Sequence, residues 1–255
     1  YRSKINTICK ILKKRKINKL LVTAPENLAW ILNIRGKDSK YSPLPNCHAV
    51  VDNNKKITLI VNKNKINKKF RSHFKNILNY ISSSEIIKFF DNINNKEVFL
   101  IDKFSCSFFY KKEIEKRFKY EEKIDPIFFL KAKKNKIEIN NSIKSHIKDG
   151  VALTKFIYWI KNNIYKLKIT EISAQKKLEK FRKQNTSYKF PSFNTISGSG
   201  PNGAIVHYRT NNKTNRVIKK NDIYLCDSGG QYHYGTTDVT RTLCFSNQSK
   251  KIKNI

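Results

Sequence analysis

The chain has 255 residues, 39% hydrophobic and 12% aromatic, with 53 Lys+Arg against 19 Asp+Glu for a net charge of +34. That length allows two ordinary domains with real cores, and 16 Phe with 12 Tyr argue against wholesale disorder. No run of 18 apolar residues exists, which excludes a membrane-spanning helix.

The charge by itself suggests a polyanionic partner. Lys, however, travels with Asn and Ile throughout ("NKNKINKK", "KKNKIEINN", "KNNIYKLKI"), as codon bias in an AT-rich genome would produce, and gathers in no single arm. The expectation is a solvated basic surface with salt-sensitive, non-specific adhesion to polyanions and no specific nucleic-acid partner. Cys9, Cys47, Cys106, Cys226 and Cys244 are scattered, odd in number and without a C-x-x-C, which fits reduced thiols in the cytoplasm. The opening "YRSKINTICKILKKRK" has no apolar signal region and the chain has no Met, so its true start is expected upstream.

In chain order, "LLVTAP" (20–25), "KITLIVN" (56–62) and "EVFLID" (97–102) are short β-rich runs alternating with Lys-rich segments. Residues 62–79 and 103–119 are the helical candidates, and the prolines make "SPLPN" (42–46) a loop. This α/β pattern defines a first domain over 1–131, and a second follows over 132–255. The second begins with helices: Ile139, Ile143, Ile147 and Val151 recur every four residues, with Ile157, Ile160 and Ile164 on a similar face. Thr170 reads as an N-cap with Glu171 in the first turn, where it suits the helix dipole. Six of the 8 glycines then lie between Gly198 and Gly235, and glycine clusters where backbones turn sharply or approach closely.

"GSGPNG" (198–203) satisfies the dinucleotide pattern G-x-G-x-x-G, with Asp222 about 20 residues on. That use requires a strand before it and a helix opening at its last glycine. The preceding "FPSFNTIS" is a poor buried strand, and "AIVHYRT" afterwards is β-prone, so the glycines read as a loop leading into a strand that carries His207.

Asp227 closes "DIYLCD" and Asp238 sits in "TTDVTRT", with "SGGQYHYG" between them able to fold the chain back. Two readings are open at this point. Both Asp can be turn or capping residues at strand ends. On neighbouring strands they can also point into one space, where a hard divalent cation relieves their repulsion. His207 alone is more often a satisfied half-buried histidine than a catalyst. Cys226 and Cys244 read as core strand residues and His233 as a packing or surface residue.

Taken together, "SHIKDGVAL", "TEISAQKKLEKFR", "FNTISGSGPNGAIVHY" and "DIYLCDSGGQYHYGTTDVTRT" resemble aminopeptidase P, the Xaa-Pro aminopeptidases of the creatinase-like, pita-bread metallopeptidases. "TAPENLAWILNIRG" and "SPLPNCHAVV" resemble the second non-catalytic domain of its three-domain form. The resemblance implies a creatinase-like α/β domain followed by the first half of an α+β pita-bread catalytic domain. It implies Asp227 as the first metal carboxylate, Asp238 as the one bridging two divalent ions, usually Mn2+, and His207 as the histidine that contacts the substrate. The implied substrate is a peptide with proline second, cut by a cytoplasmic enzyme without a membrane partner and homodimeric at full length.

One departure matters. The family completes its metal site with one His and two Glu further along, whereas "VTRTLCFSNQSKKIKNI" after Asp238 has no His, Asp or Glu. The chain alone is therefore expected to be an inactive fragment of an active enzyme. A prolidase-like dipeptidase, or a non-enzymatic pita-bread module that binds peptides or other proteins, is the alternative.

Overall fold

The computed structural model describes residues 1–254, in two compact units that meet at Lys134/Asn135. In the first, α1 (Arg2–Lys14) places Ile5, Ile8, Cys9 and Leu12 on one buried stripe, at helical spacings of three and four. After β1 (Lys19–Val22), α2 (Pro25–Leu32) starts on a proline and closes on left-handed Asn33, φ 54°. The unit continues through β2 (His48–Asp52), β3 (Ile57–Ile60), α3 (Lys68–His73), β4 (Leu78–Ile81) and α4 (Ile86–Asp91). It ends with β5 (Val98–Asp102), α5 (Phe108–Glu115), β6 (Lys119–Lys123) and α6 (Pro126–Ala132).

The strands form one sheet in the order β4-β3-β2-β1-β5-β6, with β2 antiparallel to its neighbours and the rest parallel. β1 and β3 are buried at every position, as strands covered on both faces must be. Side-chain alternation divides the core. Leu20, Val22 and Leu100 pack with α1 and α2, while Leu21, Phe99 and Ile101 pack with Phe90, Tyr110 and Ile114.

The three predicted strand runs are β1, β3 and β5, and 42–46 carries no helix or strand. The two predicted helices are shorter than expected. Within 62–79, the side chains of Asn62 and Asn67 accept from Asn64 N (3.0 Å) and Phe70 N (2.9 Å) and start two separate short elements. Such local side-chain bonds compete with a continuous helix. Within 103–119, the Ser107 side chain caps the helix, which therefore begins only at Phe108, and Lys119 already belongs to β6.

Asp125 caps α6 by accepting from Ile127 N (2.8 Å) and also takes Asn27 Nδ2 (2.9 Å), while only 1% exposed. Burial pushes its pKa up from 3.8 to about 6, against the pull of those hydrogen bonds. A raised folded-state pKa means stability is present in full below 3.8 and is lost as pH rises to about 6. Asp125→Asn should therefore gain on wild type between pH 4 and pH 7, by about 1–3 kcal/mol, in urea midpoints of the first unit.

In the second unit, α7 (Lys136–Asn163) starts on a capping box between Asn135 and Glu138. α8 (Glu171–Lys183) follows the expected Thr170 cap, reciprocated by Ser173. β7 (Tyr188–Pro191), β8 (Ile196–Ser199), β9 (Ile223–Ser228), β10 (Gly230–Tyr232) and β11 (Val239–Cys244) follow. β7 pairs with β10, and the remaining three form an antiparallel sheet in the order β11-β9-β8. Leu153, Phe156 and Ile160 of α7 pack with Leu178 of α8 against Tyr224, Cys226 and Leu243 of the sheet.

The four-residue stripe is not the buried face of α7. Ile139, Ile143, Ile147 and Val151 are 46%, 53%, 64% and 53% exposed, whereas the buried residues include Ser145, Asp149, Ala152 and Phe156. A strict spacing of four advances by about 40° per step around a helix, so the stripe winds across the outer side. The inner side instead holds a charged residue whose partner lies on α8. Ile160 and Ile164 are buried. Ile147→Ser should then stay within about 0.5 kcal/mol of wild type, while Phe156→Ala costs about 3–5 kcal/mol, in urea titrations followed by circular dichroism.

Candidate metal centre

Burial alternates along β9, with Tyr224, Cys226 and Ser228 facing the helices and Asp227 on the opposite face. β11 runs back beside it with Thr240 opposite Asp227 and Val239 opposite Ser228. Asp238, next before Val239, therefore comes diagonally beside Asp227. The two carboxylates meet. Partial burial, then the Asp227 charge and a hydrogen bond shared with it, raise the Asp238 pKa above its ordinary 3.8. Asp227 Oδ1 is buried and, among the described residues, has no hydrogen-bond donor.

The turn between them is held tightly. Thr237 N donates to Gly230 O (2.9 Å), Gly230 N donates to Thr237 Oγ1 (2.9 Å), and Ser192 Oγ donates to Thr237 O (2.8 Å). A Cβ at Gly229 would lie 2.0 Å from Thr237 O, so glycine is what admits this crossing one residue before Asp238.

Behind β9 lies a buried ion pair. Arg182, 1% exposed, gives Nε to Asp149 Oδ1 (2.7 Å) and Nη2 to both Asp149 Oδ2 (3.1 Å) and Ser228 Oγ (3.0 Å). Tyr232 OH donates to Asp149 Oδ1 (2.7 Å). Arg182→Met would leave Asp149 buried and unpaired, and should cost about 3–5 kcal/mol. Adding Asp149→Leu should recover most of that loss in the same denaturation measurement.

His207 does not sit on a strand. "GPNGA" forms a 3-10 turn over Gly200–Ala204, and residues 205–207 turn again. Gly200 at φ 57° and His207 at φ 55° reverse the chain before β-structure can form. His207 is exposed, and a non-glycine residue held left-handed stores about 1–3 kcal/mol of strain. β8 runs into the pattern through Gly198, but only a short 3-10 turn follows and no α-helix opens at Gly203, which removes the dinucleotide reading on firmer ground than a weak strand. Among the described residues, no hydrogen bond or ion pair joins His207 to either carboxylate.

Cys226 is buried as expected, but Cys244 is exposed, because its position on β11 puts it on the face opposite buried Leu243. Burial raises the thiols of Cys47 to about 12, Cys106 to about 11, and Cys226 as well, so none of these is a thiolate at neutral pH. His233 is exposed, edge-on to Tyr234. The sequence offered Glu171 only as a first-turn acid and gave no reading of Arg182, yet both are buried. The signal for Arg182 was its place four residues after core Leu178.

Carboxylates forced together, one with a donorless buried oxygen, are the donor set a hard divalent cation suits. Among the described residues no cluster of three or more His, Cys, Asp or Glu is arranged to hold an ion. Asp227 and Asp238 therefore fit as part of a coordination shell.

A family model of the creatinase/prolidase N-terminal domain matches residues 1–138, and one of metallopeptidase family M24 matches residues 141–255. The chain belongs to this family: a creatinase-type N-terminal domain followed by the start of a pita-bread M24 domain. Within that class it is similar to Xaa-Pro aminopeptidases. It is 38% identical over 241 residues to Xaa-Pro aminopeptidase ApepP of Drosophila melanogaster, covering 92% of this chain and 39% of the relative. Xaa-Pro aminopeptidase 1 of Dictyostelium discoideum is 36% identical, with 94% and 38% covered. The X-prolyl aminopeptidase of Caenorhabditis elegans, described as a cytosolic enzyme with a di-nuclear active site, superposes with a TM-score of 0.91 at 28% identity. That match covers 98% of this chain and 42% of the other. The chain thus spans about two-fifths of the length of these relatives.

Proposed function

We propose that this chain is part of a metal-dependent aminopeptidase that releases an N-terminal residue preceding proline. The carrying observation is the meeting of Asp227 and Asp238 around a donorless oxygen. Its context is a chain aligned over 92% of its length with an Xaa-Pro aminopeptidase. Asp227 would hold one divalent cation and Asp238 would span two, with Mn2+ the ion the resemblance favours. When bound, the cations supply a water acidic enough to act as nucleophile at neutral pH, and they polarise the scissile carbonyl.

The chain's own residues do the rest. The 229–237 crossing sets the separation of the carboxylates and keeps them from swinging apart to relieve their repulsion. His207, exposed on a fixed backbone, contacts the substrate beside the scissile peptide and donates a hydrogen bond where oxyanion charge develops. Two carboxylates do not fill two shells of about six ligands each, and residues 239–255 contain no His, Asp or Glu. We assign the missing ligands, one His and two Glu by resemblance, to sequence beyond these 255 residues, and assign the isolated chain no turnover. By the same resemblance residues 1–131 form the second non-catalytic domain of a three-domain enzyme and residues 132–255 the first half of its catalytic domain. The enzyme is homodimeric and cytosolic, and its partner is a peptide substrate, with no specific nucleic acid and no membrane.

The test is hydrolysis of an Xaa-Pro-Xaa tripeptide by the full-length protein, with and without Mn2+. Asp238→Asn should lose more than the 10–100-fold that an outer-shell partner costs, and calorimetry should show its Mn2+ binding weakened in parallel. Undiminished activity in this variant would sink the bridging role. Cleavage confined to Xaa-Pro dipeptides would replace the reading with a prolidase-like one.

A further inference from the structure

Glu171 is fully buried at the first position of α8, yet a carboxylate there is not needed to cap the helix, because Thr170 already does so. Its oxygens collect donors from across a loop. Oε1 accepts from Ser199 N (2.8 Å) and Asn202 Nδ2 (3.0 Å), and Oε2 accepts from Tyr208 OH (3.0 Å) and Arg216 N (3.0 Å). Its main chain joins the same loop, with Glu171 N donating to Arg216 O (3.0 Å) and Ser197 Oγ donating to Glu171 O (2.8 Å). Ser199 and Arg216 are the two ends of the 199–216 segment. Asn202 and Tyr208 flank His207 within it, and Asn202 Nδ2 also donates to Tyr208 OH (2.8 Å).

Four donors converging on one side chain require an acceptor with two oxygens and no hydrogen of its own, which is a carboxylate and not an amide. The positive end of α8, a helix of 13 residues, favours the charge at that spot. His207 is held at φ 55° between two of the anchored residues, and a left-handed non-glycine persists only where its surroundings over-determine it.

We infer that Glu171 is a positioning residue: by gathering Ser199, Asn202, Tyr208 and Arg216 onto one buried carboxylate, it fixes the loop that presents His207 to substrate. The catalytic part of this inference rests on the role proposed for His207 above, and the loop-holding part does not.

The experiment compares wild type with Glu171→Gln and Tyr208→Phe, the latter removing one donor while leaving the helix cap and the carboxylate intact. In the 255-residue chain, amide exchange is followed by residue and the His207 imidazole by NMR. The expected result is exchange at least about 10-fold faster at Ser199 and Arg216, unchanged exchange at Tyr224 and Cys226, and a His207 resonance moved towards that of an unstructured histidine. The effect should be larger for Glu171→Gln than for Tyr208→Phe. Acceleration spread evenly over the second unit would mean a merely structural carboxylate, and an unmoved His207 would overturn the inference outright. In the full-length enzyme, kcat should fall about 10–100-fold with Mn2+ affinity unchanged. Wild-type kcat in Glu171→Gln, alongside a dead Asp238→Asn, would refute the positioning role and leave the peptidase reading standing. Loop loosening as expected in a protein that never cleaves Xaa-Pro peptides would refute the peptidase reading and leave the loop-holding role standing.

Discussion

A buried arginine must keep its partner, and that constraint sets the geometry of the second unit. Arg182 and Asp149 are 1% and 0% exposed, so neither charge can lose the other without being stranded away from water. The pair joins α7 to α8, and the third guanidinium bond, to Ser228, adds β9. With Ser228 facing inward, the two-residue period of a strand leaves Asp227 to face outward. An interaction that contributes little net stability compared with a well-packed apolar core thus decides which way the candidate metal ligand points.

The elements legible in the sequence were those whose signal is local. "LLV", "ITLI" and "VFLID" are apolar runs covered on both faces, and each is a strand. The Thr170 cap needs only the next three residues, and it is present with its reciprocal partner. That Asp227 and Asp238 share one space was one of two readings open in the sequence, because a segment rich in turn residues lies between them. In the structure that segment also carries β10, which pairs with β7, so their meeting draws on distant contacts as well as on the β9–β11 register.

What was not legible depends on contacts far apart in the chain. The Ile139–Val151 stripe has a helical period, but period alone does not say which side of a helix finds a partner. Here the partner of the opposite side is Arg182, 33 residues from Asp149. Glu171 looked like a first-turn acid and is instead a hub whose donors lie 28 to 45 residues away. "AIVHY" is rich in β-formers, yet left-handed residues at 200 and 207 bend it into consecutive turns. Propensity lost to loop geometry that a distant carboxylate enforces.

A net charge of +34 does not contradict a cation site on the same chain. At physiological salt, charges separated by more than about 8 Å are largely screened, and the lysines are spread along the whole sequence. Asp227 and Asp238 act at hydrogen-bond range, inside that length, and Asp227 Oδ1 is shielded from water as well. The two carboxylates thus put negative charge directly at the candidate centre, inside the screening length.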